Sequence, residues 1–488
     1  MKTIVIIGGG LGGLSSAISL ARKGYKVHVL EKNNHFGGKM RRYHIGNASF
    51  DFGPNTITMP EIFQKVISQT GANPDHYFTF ERIVTHTRNH FSDGTYLDMS
   101  SDADEMKQNL APHSISSSSY EHYLAEITRL YQLSKEHFFP RTFTGWTDYL
   151  SPTLTKALLS VHPLQNLDTF HRRYFKDERV VQMLNRYATY IGSSPYQTPA
   201  TFAMIAYLEL VQGVYYVRGG NPTIAEGFVK RATELGVTLH TNKQATRIQV
   251  EQKKAVAVEC EDGSYYPCDE VILNGDLLQV YPDLVAEEHR PSFLNKKRDQ
   301  LQPSISAFVI LVSLNTRLKD LRHHQVYFSR DYKQEFDDLF KQQQYSMDPT
   351  IYICNSSFTE PALSPDGDNL FILVNAPALT EAHTQPKKLE SYKQHIYSLL
   401  ESKGIPIHAH LIKDQVITPK TIQKDYSAYR GALYGLAANT KRHAFLRPQN
   451  KAQDLKNLYF VGGSTHPGGG SPMVVLSGLN VARLISKK

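Results

Sequence analysis

The chain has three cysteines in 488 residues: Cys260, Cys268 and Cys354. Their spacing fits no metal motif and is too sparse for a disulfide framework, which suits a reducing interior. Cys260 and Cys268 fall in an expected hairpin and read as packing residues. No apolar run reaches the roughly 18 residues that a membrane-spanning helix needs. The best candidate, 305–314, is short, carries serines and reads as a strand. Low-complexity segments and repeats are also lacking. The formal net charge is +8, but the basic residues form only short runs such as Arg41-Arg42 and Lys296-Lys297-Arg298. A nucleic-acid partner, which would want them clustered on one face, is not expected. A plain solvated surface and attraction to an anionic membrane both remain open. There is no Ser-His-Asp, metal-binding or paired-carboxylate constellation either. The catalytic side chains are therefore left unassigned and no metal is expected.

What is present begins at once, with TIVIIGGGLGGLSSAISLARKGYKVHVLEKNNHFGGK from Thr3 to Lys39. Thr3–Ile7 is β-branched and apolar, as a strand buried on both faces must be. Gly8, Gly10 and Gly13 follow at G-x-G-x-x-G spacing, with Gly9, Gly12 and Leu14 between and behind them. A helical pattern then ends at Arg22, Lys23 and Gly24. A second strand, Lys26–Leu30, ends at Glu31. This is a dinucleotide-binding unit. The first glycine makes the turn, the second admits a pyrophosphate, and the third lets helix and strand pack. The opening helix attracts the anion, and Glu31 can accept from a ribose hydroxyl. A signal peptide or anchor does not fit, because Arg22, Lys23 and Lys26 come too early. NAD fits the first unit alone. The continuation through Glu31-Lys32 to Gly37-Gly38-Lys39 resembles the FAD-binding signature of the glutathione reductase and amine oxidase superfamily.

Further along, Phe50-Asp51-Phe52-Gly53-Pro54 reads as a strand stopping at a turn. Residues 60–210 are mostly helical in pattern, with helices near 120–137 and 180–190. A small hairpin within 82–99 turns at Ser92-Asp93-Gly94. The stretch 174–216 is dense in aromatics, among them Tyr187, Tyr190, Tyr207 and Tyr216. They are either core or the wall of a tunnel for a long apolar ligand. Strand and helix patterns return at 222–273, with a hairpin turn at Asp262-Gly263. Strands near 305–314, 325–328, 350–355 and 370–375 precede a helix at 387–404, as in a sheet walling a pocket. The end returns to cofactor chemistry. A strand at 457–461 runs into Gly462-Gly463-Ser464-Thr465-His466-Pro467-Gly468-Gly469-Gly470 and an apolar helix, 472–485, containing Met473. Its N-terminal dipole would suit an anionic reduced flavin.

The expected fold is α/β. A discontinuous FAD-binding Rossmann-like domain (1–90, 211–290 and 411–488) carries an inserted α+β substrate-binding or lid domain (91–210 and 291–410). The expected cofactor set is Gly8, Gly9, Gly10, Gly12, Gly13, Leu14, Glu31, Lys32, Gly37, Gly38, Lys39, Gly462, Gly463, Gly470 and Met473.

Together, GGGLGGLSSA, EKNNHFGGK, FDFGP, YIGSSPYQTPA, YRGALYG and YFVGGSTHPGGGSPMVVLSG resemble the bacterial carotenoid desaturase and oxidase family over nearly the whole chain. The closest likeness is to the C30 diapocarotenoid branch, and PMVVLSG looks more like its oxidases than its desaturases. The resemblance implies non-covalent FAD that takes hydride from a long polyene, with the FDFGP turn near the isoalloxazine. Hydride loss beside a conjugated chain leaves a delocalised cation, so the protein must mainly position the polyene and exclude water. The implied reaction is oxidation of a terminal methyl to an aldehyde, with desaturation as the alternative. Cytoplasmic, peripheral membrane contact is expected. One departure is that Gly463 or Ser464 stands where many superfamily members carry an Asp. An amine oxidase fits less well, since such proteins often attach flavin through a C-terminal cysteine and none follows Cys354. A non-catalytic lipid-binding escort on the same fold is the alternative of another class. His466 reads as a turn residue. Arg173, Arg218 and Arg430 are expected near the pocket without a catalytic role.

Overall fold

The computed structural model describes residues 1–145, 148, 151–380 and 385–487. A five-stranded parallel sheet forms one half of the molecule. Its order is Leu458–Phe460, Glu270–Leu273, Thr3–Ile7, Lys26–Leu30, Thr238–His240. Thr3–Ile7 is central, which explains its unbroken apolar run. Ile4 and Ile6 pack with the helix Leu11–Ala21, while Val5 and Ile7 pack on the opposite face. That face is covered by an antiparallel sheet, Ala245–Glu251, Lys254–Cys260 and Tyr265–Pro267. Cys260 is buried there, and all three cysteines are free. The last helix, Ser471–Ile485, closes the chain against Leu11–Ala21.

The second half is built on a seven-stranded sheet. Its order is Leu411–Ile417, Ser306–Leu314, Asn369–Ala376, Ile351–Asn355, His324–Tyr327, Thr85–His90, Tyr96–Ser100. Side chains alternate across it with the period of two that a strand imposes. Phe308, Ile310, Val312, Ile372 and Val374 meet Ile396 and Leu400 of the helix Pro386–Glu401. Ala307, Val309, Phe371 and Leu373 face the other way, towards a cavity.

The hairpin expected within 82–99 forms, as Thr85–His90 against Tyr96–Ser100, and two other features differ from the sequence reading. Thr85–His90 pairs in parallel with His324–Tyr327 and joins the large sheet, a long-range pairing that local pattern does not encode. Thr85–His90 and Leu411–Ile417 therefore belong to the seven-stranded sheet, across the boundaries expected at 90 and 410. The helix near 180–190 ends earlier, as Glu178–Asn185, and tightens into a 3₁₀ turn over Arg186–Ile191. The tightened turn delivers Arg186 and Tyr190 to the cavity wall.

Candidate flavin site and active-site cavity

The carboxyl ends of the parallel strands open onto one cavity of about 870 Å³, the position that open α/β sheets use for ligands. Gly8 makes the first turn with φ +101°, and a Cβ there would lie 2.2 Å from the Asn274 carbonyl oxygen. Only glycine fits. The following helix starts at Gly10 with no side-chain cap, so its first N–H groups are available to an anion. Glu31 is buried. Its Oε2 accepts from the Gly9 N–H at 2.7 Å and its Oε1 from the Asn33 N–H at 2.9 Å. Burial raises its pKa while those two N–H groups oppose the shift. Each oxygen keeps a lone pair for a ribose hydroxyl.

Gly8, Gly10, Glu31, Lys32, Gly37, Gly38, Lys39, Gly462, Gly463 and Gly470 all line the cavity. Lys39 Nζ donates to the Leu433 carbonyl at 2.6 Å, with Asp276 as its electrostatic partner. Lys32 Nζ donates to the Lys424 carbonyl and to Ser427. Gly9, Gly12, Gly13 and Leu14 stand behind the lining. Gly9 serves through its bond to Glu31, and Leu14 is core. At Gly12 and Gly13 a Cβ would approach Asn274 Oδ1 to 2.7 Å and the Gly8 carbonyl to 2.3 Å. Met473 is the correction in this set. It packs with Met59, Tyr131 and Leu476, while its neighbours Pro472 and Val474 face the cavity.

The last helix, too, begins without a side-chain cap, at Gly470. Two uncapped helix N-termini thus face one cavity, beside a glycine cradle and a buried carboxylate. The Phe52–Thr56 turn forms part of the same wall, and Leu433 and Tyr434 another part. This arrangement fits a dinucleotide whose pyrophosphate lies on the first helix and whose redox ring lies near the last.

The sequence pattern of the flavin-containing amine oxidoreductases matches residues 11–486. The chain belongs to that family. It is 33% identical over 491 residues to a 4,4'-diapolycopene oxygenase of Methylomonas sp, covering 98% of this chain and 96% of that one. It is 32% identical over 502 residues to the 4,4'-diaponeurosporene oxygenase of Staphylococcus aureus strain USA300, covering 100% and 98%. Among solved structures, an oxidoreductase from Methanosarcina mazei superposes with TM-score 0.65 at 16% identity, covering 99% of this chain and all of that one. Putrescine oxidase bound to putrescine gives 0.65 at 11%, covering 100% and 99%. These structural likenesses show the shared flavoprotein fold. The protein is an FAD-dependent oxidoreductase, and Glu31, the Gly8–Gly10 turn, Gly37, Gly38 and the Gly470 helix end are the residues that would hold the cofactor.

Several residues of this flavoprotein escaped the sequence reading. Asn274, at the end of Glu270–Leu273, donates from Nδ2 to the Gly8 carbonyl at 2.9 Å and braces the glycine turn. Ser464, one of the two candidates for the missing-Asp position, accepts from the Leu277 N–H at 2.8 Å, a contact the sequence did not reveal. Of the arginines, Arg173 and Arg218 are exposed, and Arg430 bonds the Leu379 carbonyl. None of the three lines the cavity; Arg186 does. His323, His324 and Cys354 place ligand atoms within 4.8 Å of one another, a grouping hidden by the long sequence separation between the histidines and the cysteine. His466 is buried and its Nε2 donates to the Phe138 carbonyl at 2.9 Å, a structural role in its turn.

Two predictions arise here. Glu31→Ala would strand the Gly9 and Asn33 N–H groups and remove the ribose acceptor. It should weaken FAD binding and cost the flavin-free fold about 1–3 kcal/mol, read by flavin titration and urea melts. Unchanged flavin affinity would contradict the role given to Glu31. Asp51, in the FDFGP turn, accepts from the Asn221 N–H at 2.7 Å, and burial pushes its pKa up to about 6. A raised folded pKa means that its contribution is complete below the ordinary carboxylate range and is lost as pH rises through about 6. Asp51→Asn, which mimics the protonated acid, should therefore be more stable than the parent at pH 7, by about 3 kcal/mol at most. The difference should vanish towards pH 4. A difference that does not change with pH would refute this assignment.

Proposed function

We propose that the protein oxidises the terminal methyl group of a C30 carotenoid such as diaponeurosporene to an aldehyde. The observation that carries this reading is the chamber that continues the cofactor cavity. Beyond the Phe52–Thr56 turn, the inward face of the large sheet offers Ala307, Val309, Val326, Phe371 and Leu373. That surface suits a polyene and gives a polyamine no acidic anchor. The full-length likeness to C30 carotenoid oxygenases supports the substrate class.

Bound FAD would accept hydride in each of two two-electron steps, methyl to alcohol and alcohol to aldehyde, with water or dioxygen from outside the chain supplying the oxygen atom and an external acceptor reoxidising the flavin between them. The chain's own part is to grip the polyene by apolar contact, hold its end against the Phe52–Thr56 turn, and keep water out. Cells expressing this chain should convert supplied diaponeurosporene to aldehyde and barely desaturate supplied diapophytoene. New double bonds in the second, with no oxygenated product from the first, would reassign the protein as a desaturase.

A lipid-borne substrate also supports peripheral membrane contact. Among the described residues, no helix is long and apolar enough to cross a membrane. Leu159 and Leu164 are 72% and 76% exposed, and the exposed Lys156 lies one turn before Leu159 on the helix Pro152–Leu159, a combination of apolar and basic side chains suited to an interface. Flotation with anionic vesicles should weaken as salt rises. It should weaken further in Leu159→Asp/Leu164→Asp, with FAD content unchanged. Equal flotation of parent and variant would remove these leucines from the account.

A further inference from the structure

Arg186 is 7% exposed, and it lies on the wall of the cavity. Its guanidinium is poorly satisfied. Nη2 stands 3.5 Å from Glu209 Oε2 and Nη1 stands 3.4 Å from the Tyr190 hydroxyl, both at the outer limit of hydrogen bonding. Nε has no hydrogen-bond partner among the described residues. Glu209 is fully buried and already accepts from the hydroxyls of Tyr190 and Tyr187. Burial keeps the neighbouring His86 and His324 neutral, with His86 pushed down to about 4. A guanidinium cannot lose its proton, and buried donors without acceptors are costly. This one shares its cavity with the apolar wall of Val309, Phe371 and Leu373.

The group is tied to the reacting end of the cavity. Thr56 follows the Gly53-Pro54 turn and lines the cavity together with Arg186, Tyr190 and Tyr352. Tyr352 bonds His324 Nδ1 at 2.9 Å.

We propose that Arg186, framed by Thr56, Tyr190 and Tyr352, is a subsite for the oxygen of the substrate's oxidised end, a conjugated aldehyde. The identity of this ligand rests on the proposed function. A methyl group offers the guanidinium nothing. An aldehyde is purely an acceptor, matching a group that is purely a donor. Conjugation pushes electron density from the polyene onto the carbonyl oxygen, and a hydrogen bond from a cation is among the stronger kinds. Glu209 keeps the pair neutral overall, so the subsite is not a bare charge in an apolar wall. The subsite therefore distinguishes oxygenated from unoxygenated chain ends, which an apolar tunnel cannot do.

The test is an absorption titration of the FAD-loaded protein with two probes, diaponeurosporene and the C30 polyenal derived from it. The native protein should bind the polyenal more tightly and shift its absorption to longer wavelength, because a donor at the carbonyl stabilises the charge-separated excited state. Arg186→Met should lose about tenfold or more in polyenal affinity, keep diaponeurosporene affinity within about twofold, and abolish the wavelength shift. Arg186→Lys should restore part of it. Arg186→Met/Glu209→Gln removes both charges together and guards against a misfolded single variant; it should show the same selective loss. Equal loss of both probes, or an unchanged polyenal spectrum in these variants, would overturn the subsite. If the native protein bound neither probe, the proposed substrate class itself would fail, which is a different result.

Discussion

Gly10→Val is expected to give a folded protein without flavin. A Cβ at Gly10 would lie 3.1 Å from Asn274 Nδ2 and 3.9 Å from Gly38 Cα, so the backbone can accept a side chain with only a small shift. What it cannot then accept is a pyrophosphate. Gly10 is the uncapped start of the first helix and lies on the cavity wall. The valine methyls would occupy the space through which the anion reaches the helix N–H groups. FAD affinity should fall on the order of a hundredfold or more, ~2.7 kcal/mol. Protein purified without added cofactor should be colourless yet melt cooperatively. A normal flavin content would remove the cradle from the account.

Gly478→Val should damage the fold itself. Here the first and last helices meet so closely that a Cβ would sit 2.1 Å from Ser15 Oγ and 2.3 Å from the Gly12 carbonyl oxygen. The Ser16 hydroxyl, which donates to the Gly12 carbonyl at 2.8 Å and lies 3.3 Å from the Gly478 carbonyl, would lose its place as well. Rotamer changes cannot relieve a clash with backbone, so the helices must separate. Overpacking of this kind costs about 1–3 kcal/mol and sometimes more, a large share of a stability of roughly 5–15 kcal/mol. The helix that moves carries Gly470 and Pro472 into the cavity, so stability and FAD content should fall together. Soluble yield and melting of the flavin-free protein are the readouts, with Gly478→Ala expected between the two. An undiminished melting temperature in the valine variant would mean that the helices are not locked as described.

Much of the parallel half was legible in the sequence because its rules are local. Thr3–Ile7, the G-x-G-x-x-G turn and Glu31 form one continuous unit, and Glu31 meets Gly9 as the motif requires. The strands of the large sheet were legible from their apolar runs. Their pairing was not, since the register of Thr85–His90 against His324–Tyr327 joins segments over two hundred residues apart. Met473 was misplaced because apolar character alone does not say which way a helical residue points. At the start of the last helix, Pro472 and Val474 touch the cavity while Met473 packs with Met59 and Tyr131. Arg186 was missed because the periodic pattern ran smoothly through it. Only the tightening of the helix after Asn185 turns it to the wall. Asn274 had a usable signal: it ends a strand of a parallel sheet, where ligand-side residues gather.

The central claim is that this flavoprotein oxidises the end of a C30 polyene. Its most direct test is a reaction of purified, FAD-loaded protein with diaponeurosporene in lipid vesicles under air, which supplies the terminal electron acceptor, with products separated and weighed by mass spectrometry. The flavin-free Gly10→Val protein serves as the matched control. The account predicts a product that has gained one oxygen and lost two hydrogens at a terminal methyl, and none from the control. A product that has only lost hydrogens, or the same aldehyde from the control, would contradict it.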